Sequence, residues 1–339
     1  MGENKVNHRI IQESRLNAYP ISILVPIYNV EKYLRRCLDS LFTQTYANIE
    51  YIFIHDCGTD NSFAILLEEI EKHPSRKQDC TIIENTQNLG ISTTRNKLIH
   101  YAKGTYSLFV DSDDWIIKNA VELLLTEAYK GDYDLVGGHI IEEYLAENKI
   151  EQKKITINYP DDYTERLINS FSTSHNHPLY TQIIKHQLYK EHNIHIPFNI
   201  QFGEDLILLI NIYYYAKKIS SIPVYFYHYN KFNTNSLTYT HSKKQLIERI
   251  KYTDYMTSFA LKNNILEIVG EDIAERKHIV RSLLLLQPEL RDIKKAKHTY
   301  PEAKKEWRRF KQYYSKKNRF IFLLAEHGLY FLIKLIYRK

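Results

Sequence analysis

Four apolar runs, each followed by a turn and a helical pattern, fill residues 21–110. This alternation restricts the fold more than any other feature of the chain. Ile21-Ser22-Ile23-Leu24-Val25-Pro26 reads as a first buried strand, stopped by Pro26, which has no N–H for a ladder. After the loop at Tyr28-Asn29, a helix is expected from about Val30. There Tyr33, Leu34, Cys37, Leu38, Leu41 and Phe42 recur at i, i+3, i+4 spacing. Ile49–Ile54 is the second strand and leads to Asp56; Phe63, Leu66, Leu67 and Ile70 predict a helix from Ser62 to about His73. Cys80-Thr81-Ile82-Ile83 is a short third strand. Asn88-Leu89-Gly90 turns into a helix from Ile91 to Ala102, which Gly104 ends as a C′ residue. Tyr106–Val110 is the fourth strand. The spacing predicts an α/β fold, a mostly parallel sheet flanked by helices with right-handed crossovers.

Ligands of such sheets bind beyond the carboxyl ends of the strands. Those ends carry Pro26-Ile27-Tyr28-Asn29, then Asp56, then Asp111-Ser112-Asp113-Asp114 before Trp115. Like charges at i and i+2 of an extended chain point the same way and repel. A divalent cation between Asp111 and Asp113 makes the arrangement favourable, and hard oxygen ligands suit Mg²⁺ or Mn²⁺ shared with substrate phosphates. Asp113 and Asp114 also suit a second role, as N-caps of a helix after Trp115. Tyr28 can stack on a base and Asp56 can accept from a ring N–H such as uracil N3; an ordinary surface ring and a turn acid are the plainer readings. No GxGxxG or P-loop follows the first strand, which disfavours dinucleotide redox and P-loop chemistry.

The 339 residues, 44% hydrophobic and 25% charged, describe a globular chain long enough for a large core. Three scattered cysteines, Cys37, Cys57 and Cys80, argue against a disulfide framework or a zinc site and for a reducing compartment. Met1–Tyr19 has no apolar signal region, and no run of about 18 apolar residues occurs. A cytoplasmic protein is expected. A net charge of +6 is compatible with nucleic acid, yet no nucleic-acid motif is present and no such partner is expected.

Val25-Pro26-Ile27-Tyr28-Asn29, Asp56-Cys57-Gly58-Thr59-Asp60-Asn61-Ser62, Asn88-Leu89-Gly90-Ile91-Ser92 with Arg95-Asn96, and Asp111-Ser112-Asp113-Asp114 stand in a familiar order and spacing. Over residues 20–120 the chain closely resembles a family 2 glycosyltransferase of the GT-A fold. The resemblance implies that Pro26, Tyr28, Asn29 and Asp56 hold the nucleotide. It implies that Asn88, Gly90 and Arg95 line the nucleotide-sugar site. Asp111, Ser112 and Asp113 would act as the DxD that sets a divalent metal, Mn²⁺ or Mg²⁺, on the diphosphate of a UDP-linked donor. One departure is visible: the family usually reads Asp-Gly-Ser-Thr-Asp where this chain has Asp56-Cys57-Gly58-Thr59-Asp60.

Further along, Asp134–Gly138 reads as a strand and residues 142–162 as an exposed hairpin or loop. Gly203-Glu204-Asp205 opens an apolar helix, Leu206–Tyr215. Acids at a helix N-terminus are stabilised by the macrodipole, which is one reading of the pair. The resemblance implies another, with Asp205 as general base and Glu204 orienting the acceptor. Val224–Lys231 is an aromatic strand in which His228 can complete the metal shell and Lys231 can neutralise phosphate; a structural role for His228 is the plainer reading. His175 and His177, two apart with no third partner, fit an acceptor-side surface better than a metal site.

From about His241 the pattern becomes helical and then basic, aromatic and apolar in turn, from Lys294 to Tyr337. An interfacial helix on an anionic membrane and simple packing on the catalytic domain are both compatible with it. The expected organisation is an extension at 1–19, a GT-A domain at 20–240 with donor half 20–120 and acceptor half 121–240, and a helical region at 241–339. The expected activity is inverting transfer of a sugar to a hydroxyl of a glycan or lipid-linked acceptor. A nucleotidyltransferase and a catalytically silent binding module are the rivals.

Overall fold

Every residue of Ile21–Ile27 is buried, and so is every residue of Ile49–His55. Strands read as continuous apolar runs when both faces are covered, and here helices lie on either side. The computed structural model describes residues 8–15, 18–146, 149–173, 178–233 and 242–337. The chain divides into two units, Met1–Arg166 with His177–Ser236, and Leu167–Asn176 with Leu237–Lys339.

In chain order the first part holds β1 (His8–Gln12), β2 (Ile21–Ile27), α1 (Leu34–Phe42), β3 (Ile49–His55), α2 (Ser62–Lys72), α3 (Pro74–Lys77), β4 (Cys80–Asn85), α4 (Ile91–Tyr101) and β5 (Tyr106–Phe109). It continues through β6 (Trp115–Ile116), α5 (Ala120–Gly131), β7 (Leu135–Ala146), β8 (Lys149–Ile155), α6 (Tyr163–Phe171, of which Leu167 onward belongs to the second unit), β9 (Gln182–Lys185), α7 (Gln187–Glu191), α8 (Glu204–Tyr215) and β10 (Ile219–Asn230). One sheet runs β1-β4-β3-β2-β5-β9-β7-β10-β6, with β8 paired to β7. Strands β4, β3, β2 and β5 are parallel, as the alternation predicts. β9 enters antiparallel between β5 and β7, and β7 and β10 are again parallel. Residues 8–12 of the expected N-terminal extension are an antiparallel edge strand on β4.

The order reverses between β2 and β5, so the crevice of a doubly wound sheet falls there. Pro26 shapes it. The β2–β5 ladder ends at Leu24–Phe109, two positions before the residue that has no N–H to offer, while β2–β3 pairing continues to Ile27–His55. β2 and β5 therefore part at their carboxyl ends, and the loops beyond them face the gap.

Two local readings change. α5 does not start after Trp115, because a two-residue strand on β10 intervenes and Asn119 precedes the helix. Gly104 is not a left-handed helix cap. A Cβ there would lie 2.5 Å from the Ser22 backbone nitrogen, so the position needs glycine for close approach. Its N–H donates to the Ser22 hydroxyl, which itself donates to the buried carboxylate of Glu50.

The second unit holds α9 (Lys243–Lys262), α10 (Leu266–Leu286), α11 (Ile293–His298), α12 (Lys316–Glu326) and α13 (Tyr330–Ile336). Its own apolar core includes Leu246, Leu284, Leu285, Ile321, Phe322 and Ile333. Buried Arg281 donates to the carbonyls of Ala296 and Thr299 at 2.8 and 2.7 Å, which ties α10 to the chain around α11.

Candidate active site

The acidic turn after β5 is held largely by residues of β10, which lies three places along the same sheet. Asp114 is fully buried; its carboxylate accepts the Tyr227 hydroxyl at 2.8 Å and the Asn230 N–H at 2.7 Å. The Tyr227 oxygen in turn accepts the Asp111 N–H at 3.1 Å. Asn230 also donates to the Asp113 carbonyl at 3.2 Å, and Asn233 donates to the Asp113 carboxylate at 2.7 Å. Asp114 is thus no helix cap: β10 draws it inward as the acceptor that fixes the turn. That leaves Asp111 and Asp113 toward the crevice. Burial, and then the charge of Asp111, push the Asp113 carboxyl up to about 6. Asp114 is pushed well above the usual range by burial and by both neighbours.

These residues fit a divalent cation. Hard carboxylate oxygens that repel one another inside a partly buried turn are relieved by positive charge between them. Among the described residues no three His, Cys, Asp or Glu side chains converge at metal-holding spacing. Asp111 and Asp113 would be the residues to hold such an ion, with its remaining positions left to phosphate oxygens and water.

His228 does not join that pair. Its Nδ1 lies 2.8 Å from the buried Glu143 carboxylate, and its ring stacks on Trp115 at 5.1 Å between centroids. The Arg36 guanidinium covers the same indole. The strand period places the imidazole here, in a cation–aromatic–acid cluster. Lys231 is likewise engaged elsewhere: its ammonium is 2.6 Å from Glu142 and flanked by the rings of Tyr144 and Tyr229. The phosphate role expected of it is not what its surroundings provide. His175 and His177 lie outside the described residues.

On the β2–β3 side, Tyr28 is 47% exposed at the mouth of the crevice. Asn29 takes a left-handed backbone, φ 52°, and its side-chain oxygen accepts the Thr59 N–H at 2.7 Å. Asp56 is buried and already serves three donors: Asn85 at 2.7 Å, the Leu89 N–H at 2.9 Å and the Gly90 N–H at 2.8 Å. Its main work is to hold the Asn88–Gly90 turn, which leaves one lone-pair direction on Oδ2 open. The exposed Asn88 also accepts from Gly90, at 3.0 Å. Gly90 starts α4 at φ 82°, where an L side chain is strained.

α4 then carries the link to the second acidic pair. Arg95, 6% exposed, donates Nη2 to Asp111 at 3.0 Å and brings Nη1 within 3.4 Å of Glu204. Burial alone would favour the neutral guanidine, but Asp111, Glu204 and Asp205 raise its pKa and keep it charged. Asn96 clasps Ile196 through both its N–H and its carbonyl, at 2.9 and 2.8 Å, and Ser92 donates to the Ile200 carbonyl. These contacts position the loop that delivers Gly203-Glu204-Asp205 to the start of α8. Glu204 turns inward, buried against Arg95, and burial raises its pKa. Asp205 is half-buried and accepts the Leu206 N–H at 2.8 Å.

The structure therefore brings Asp111, Asp113, Arg95, Glu204 and Asp205 together beyond the β2–β5 gap, with Asp56, Tyr28, Asn29, Asn88 and Gly90 along one side. Sequence reasoning missed Tyr227, Asn230 and Asn233. It also missed Tyr180, which stacks on Tyr227 at 4.3 Å and whose phenol pKa is raised by burial and the charges of Asp114, Asp111 and Asp205. The alternating tyrosines of β10 were the available signal: Tyr227 and Tyr229 share a face and both stack on Tyr180, while an irregularity in the β7–β10 pairing breaks the period between Tyr225 and Tyr227.

The profile described as glycosyl transferase family 2 matches residues 22–202. The Bacillus subtilis (strain 168) protein EpsH is 30% identical over 251 residues, covering 73% of this chain and 71% of EpsH. The poly(ribitol-phosphate) beta-glucosyltransferase of Bacillus spizizenii is 33% identical over 212 residues, 62% of this chain and 32% of that protein, so the chain spans about a third of its length. Among solved structures, S. aureus TarS 1–349 superposes with a TM-score of 0.60 at 21% identity, covering 84% of this chain and 78% of that one. The same TarS segment in complex with UDP-GlcNAc gives 0.58 at 20% identity, covering 94% and 91%. At such identities the likeness is one of fold.

Proposed function

The chain belongs to glycosyl transferase family 2, and on that footing we propose that it transfers a sugar, with inversion, from a UDP-linked donor to a hydroxyl of a glycan or lipid-linked acceptor in cell-surface polymer synthesis. What supports this reading is the single guanidinium of Arg95, which spans from Asp111 of the acidic turn to Glu204 of the α8 pair. The acids suited to a diphosphate-bound cation and the acids suited to acceptor chemistry thereby share one crevice.

Mn²⁺ or Mg²⁺ held by Asp111 and Asp113 would supply positive charge against the leaving diphosphate. The acceptor oxygen attacks the anomeric carbon from the face opposite the diphosphate, the C1–O bond to the diphosphate breaks, and Asp205 takes the acceptor proton. Glu204, committed to Arg95, orients the acceptor side rather than exchanging the proton. Tyr28 and the open lone pair of Asp56 receive the base, and the Asn88–Gly90 turn bounds the donor.

A panel of nucleotide sugars beginning with UDP-GlcNAc tests this, by thermal shift and by UDP release with and without Mn²⁺. The expected result is a raised melting temperature with one UDP-sugar and metal-dependent UDP release. Stabilisation by no nucleotide sugar, together with no release, overturns the reading.

A further inference from the structure

We propose that the outer surface of α12, α13 and the turn between them is a docking surface for an anionic lipid bilayer. The inner sides of both helices, including Ile321, Phe322, Leu324, Ala325 and Ile333, complete the core of their unit. The outer side remains large and apolar. Phe320 is 52% exposed, Leu323 39%, Leu329 36%, Phe331 61% and Leu335 52%. Phe320 and Leu323 are three apart, and Phe331 and Leu335 four apart, so each pair shares a helix face. Exposed apolar residues scattered singly need no partner, whereas five between positions 320 and 335 do.

Charge decides what covers them. Between Lys311 and Tyr337 the sequence carries Lys311, Lys316, Lys317, Arg319 and Lys334 against one acid, Glu326. Glu326 is buried, 2.7 Å from Arg308 and accepting from the Trp307 indole at 3.1 Å, so it adds no negative charge to the surface. Lys316, Lys317, Arg319 and Lys334 are exposed. Phenylalanine and leucine at the level of acyl chains, with lysine and arginine at the level of headgroups, is the composition of a helix lying in an anionic interface. The helices have 11 and 7 residues, and no helix among the described residues is long and apolar enough to cross a membrane. The surface lies on a bilayer rather than spanning it. A second copy would set this basic patch against itself, and a soluble polyanion would engage the lysines while leaving the apolar side chains in water.

Co-sedimentation of the full chain with vesicles tests the proposal, using phosphatidylcholine alone or with phosphatidylglycerol added. Binding is expected to the anionic vesicles and to be at least about fivefold weaker to the neutral ones. Paired substitutions Phe331→Ser with Leu335→Ser, and Lys316→Glu with Lys317→Glu, should each weaken binding by about fivefold or more with unchanged circular dichroism. Three results overturn it: wild type that stays in the supernatant at low salt, a serine pair that binds anionic vesicles undiminished, or a serine pair that alters oligomeric state while vesicle binding persists.

Discussion

The hydroxyl of Tyr227 donates to the buried carboxylate of Asp114 at 2.8 Å, joining the last parallel strand to the acidic turn after β5. The same oxygen accepts the Asp111 N–H, so one phenol holds both ends of that turn. Tyr227→Phe leaves the carboxylate with the Asn230 N–H and orphans the Asp111 amide. A loss of about 1–3 kcal/mol is expected, read as a lowered urea midpoint at unchanged m. Turnover should fall more than donor affinity, since the turn is misplaced rather than removed. A variant as stable and active as wild type would show that the turn holds itself.

Asp113 and Asp114 are adjacent acids with different expected behaviour. Asp113→Asn removes a crevice-facing carboxylate and should abolish the rise in melting temperature that the proposed function predicts for wild type with Mn²⁺ and UDP. Asp114→Asn should keep that rise while lowering the starting temperature, because Asp114 serves Tyr227 and Asn230. Loss of the Mn²⁺ response in Asp114→Asn alone would reverse the assignment.

The displaced glycine of the Asp56–Asp60 segment has a structural counterpart. Cys57 takes the left-handed conformation, φ 53°, that glycine would occupy without strain. Cys57→Gly should stabilise by about 0.5–1 kcal/mol once glycine's extra chain entropy is subtracted. A Cβ on Gly58 would sit 2.7 Å from the Asn29 side-chain oxygen and 3.1 Å from the His55 ring, so Gly58→Ala should destabilise. Thermal melts of the two variants moving in the same direction would contradict this account.

The parallel half of the sheet was legible because strands buried on both faces show as unbroken apolar runs, and their carboxyl-end residues lie close in sequence to those runs. The antiparallel entry of β9 was not, since Gln182–Lys185 is four residues long and no local pattern states its direction. Asp114 misled for a similar reason. An acid just before an apolar run looks like a cap, and nothing nearby signals that Tyr227 and Asn230 will reach it. His228 and Lys231 were assigned by their chemistry alone, whereas their neighbours Glu143 and Glu142 come from a strand that reads as mere polar surface. Arg95 was visible as a motif residue, but its bridge to Glu204 depends on Asn96 and Ser92 fixing a loop about a hundred positions away.

Two buried histidines set an acid limit on stability. Burial holds His186 down to about 4, with Lys190 adding to it, and His278 down to about 4, with Arg281 adding to it. Both are neutral when folded and bind a proton near 6.5 when unfolded. The unfolded state therefore takes up protons first as pH falls. Their stabilising contribution is complete above about 6.5 and is lost between about 6.5 and 4, at most about 3 kcal/mol each. Asp113, Asp114 and Glu204, whose pKa values are raised on folding, take up protons in the native state over the same window and act in the opposite direction. The histidines are therefore read as a fall in denaturation midpoint relative to a variant that lacks one of them. His278→Gln should flatten the fall, and an equally steep profile in that variant would exclude His278 as a source.

Glu204 and Asp205 are neighbours at the start of α8, yet only Glu204 is turned into Arg95. Replacing each acid by its amide separates a positioning role from proton transfer. Asp205→Asn keeps the shape and removes the proposed base, so turnover should drop about 100- to 10,000-fold with the UDP-sugar dissociation constant and the melting temperature nearly unchanged. Glu204→Gln leaves a charged, buried guanidinium with one anionic partner fewer. That variant should lose about 1–3 kcal/mol of stability and weaken acceptor binding more than it slows the bound complex. The discriminating measurement is single-turnover transfer at saturating acceptor. Near-normal rates in Asp205→Asn beside a collapse in Glu204→Gln would exchange the two roles, and the proton would then pass to the buried acid beside Arg95.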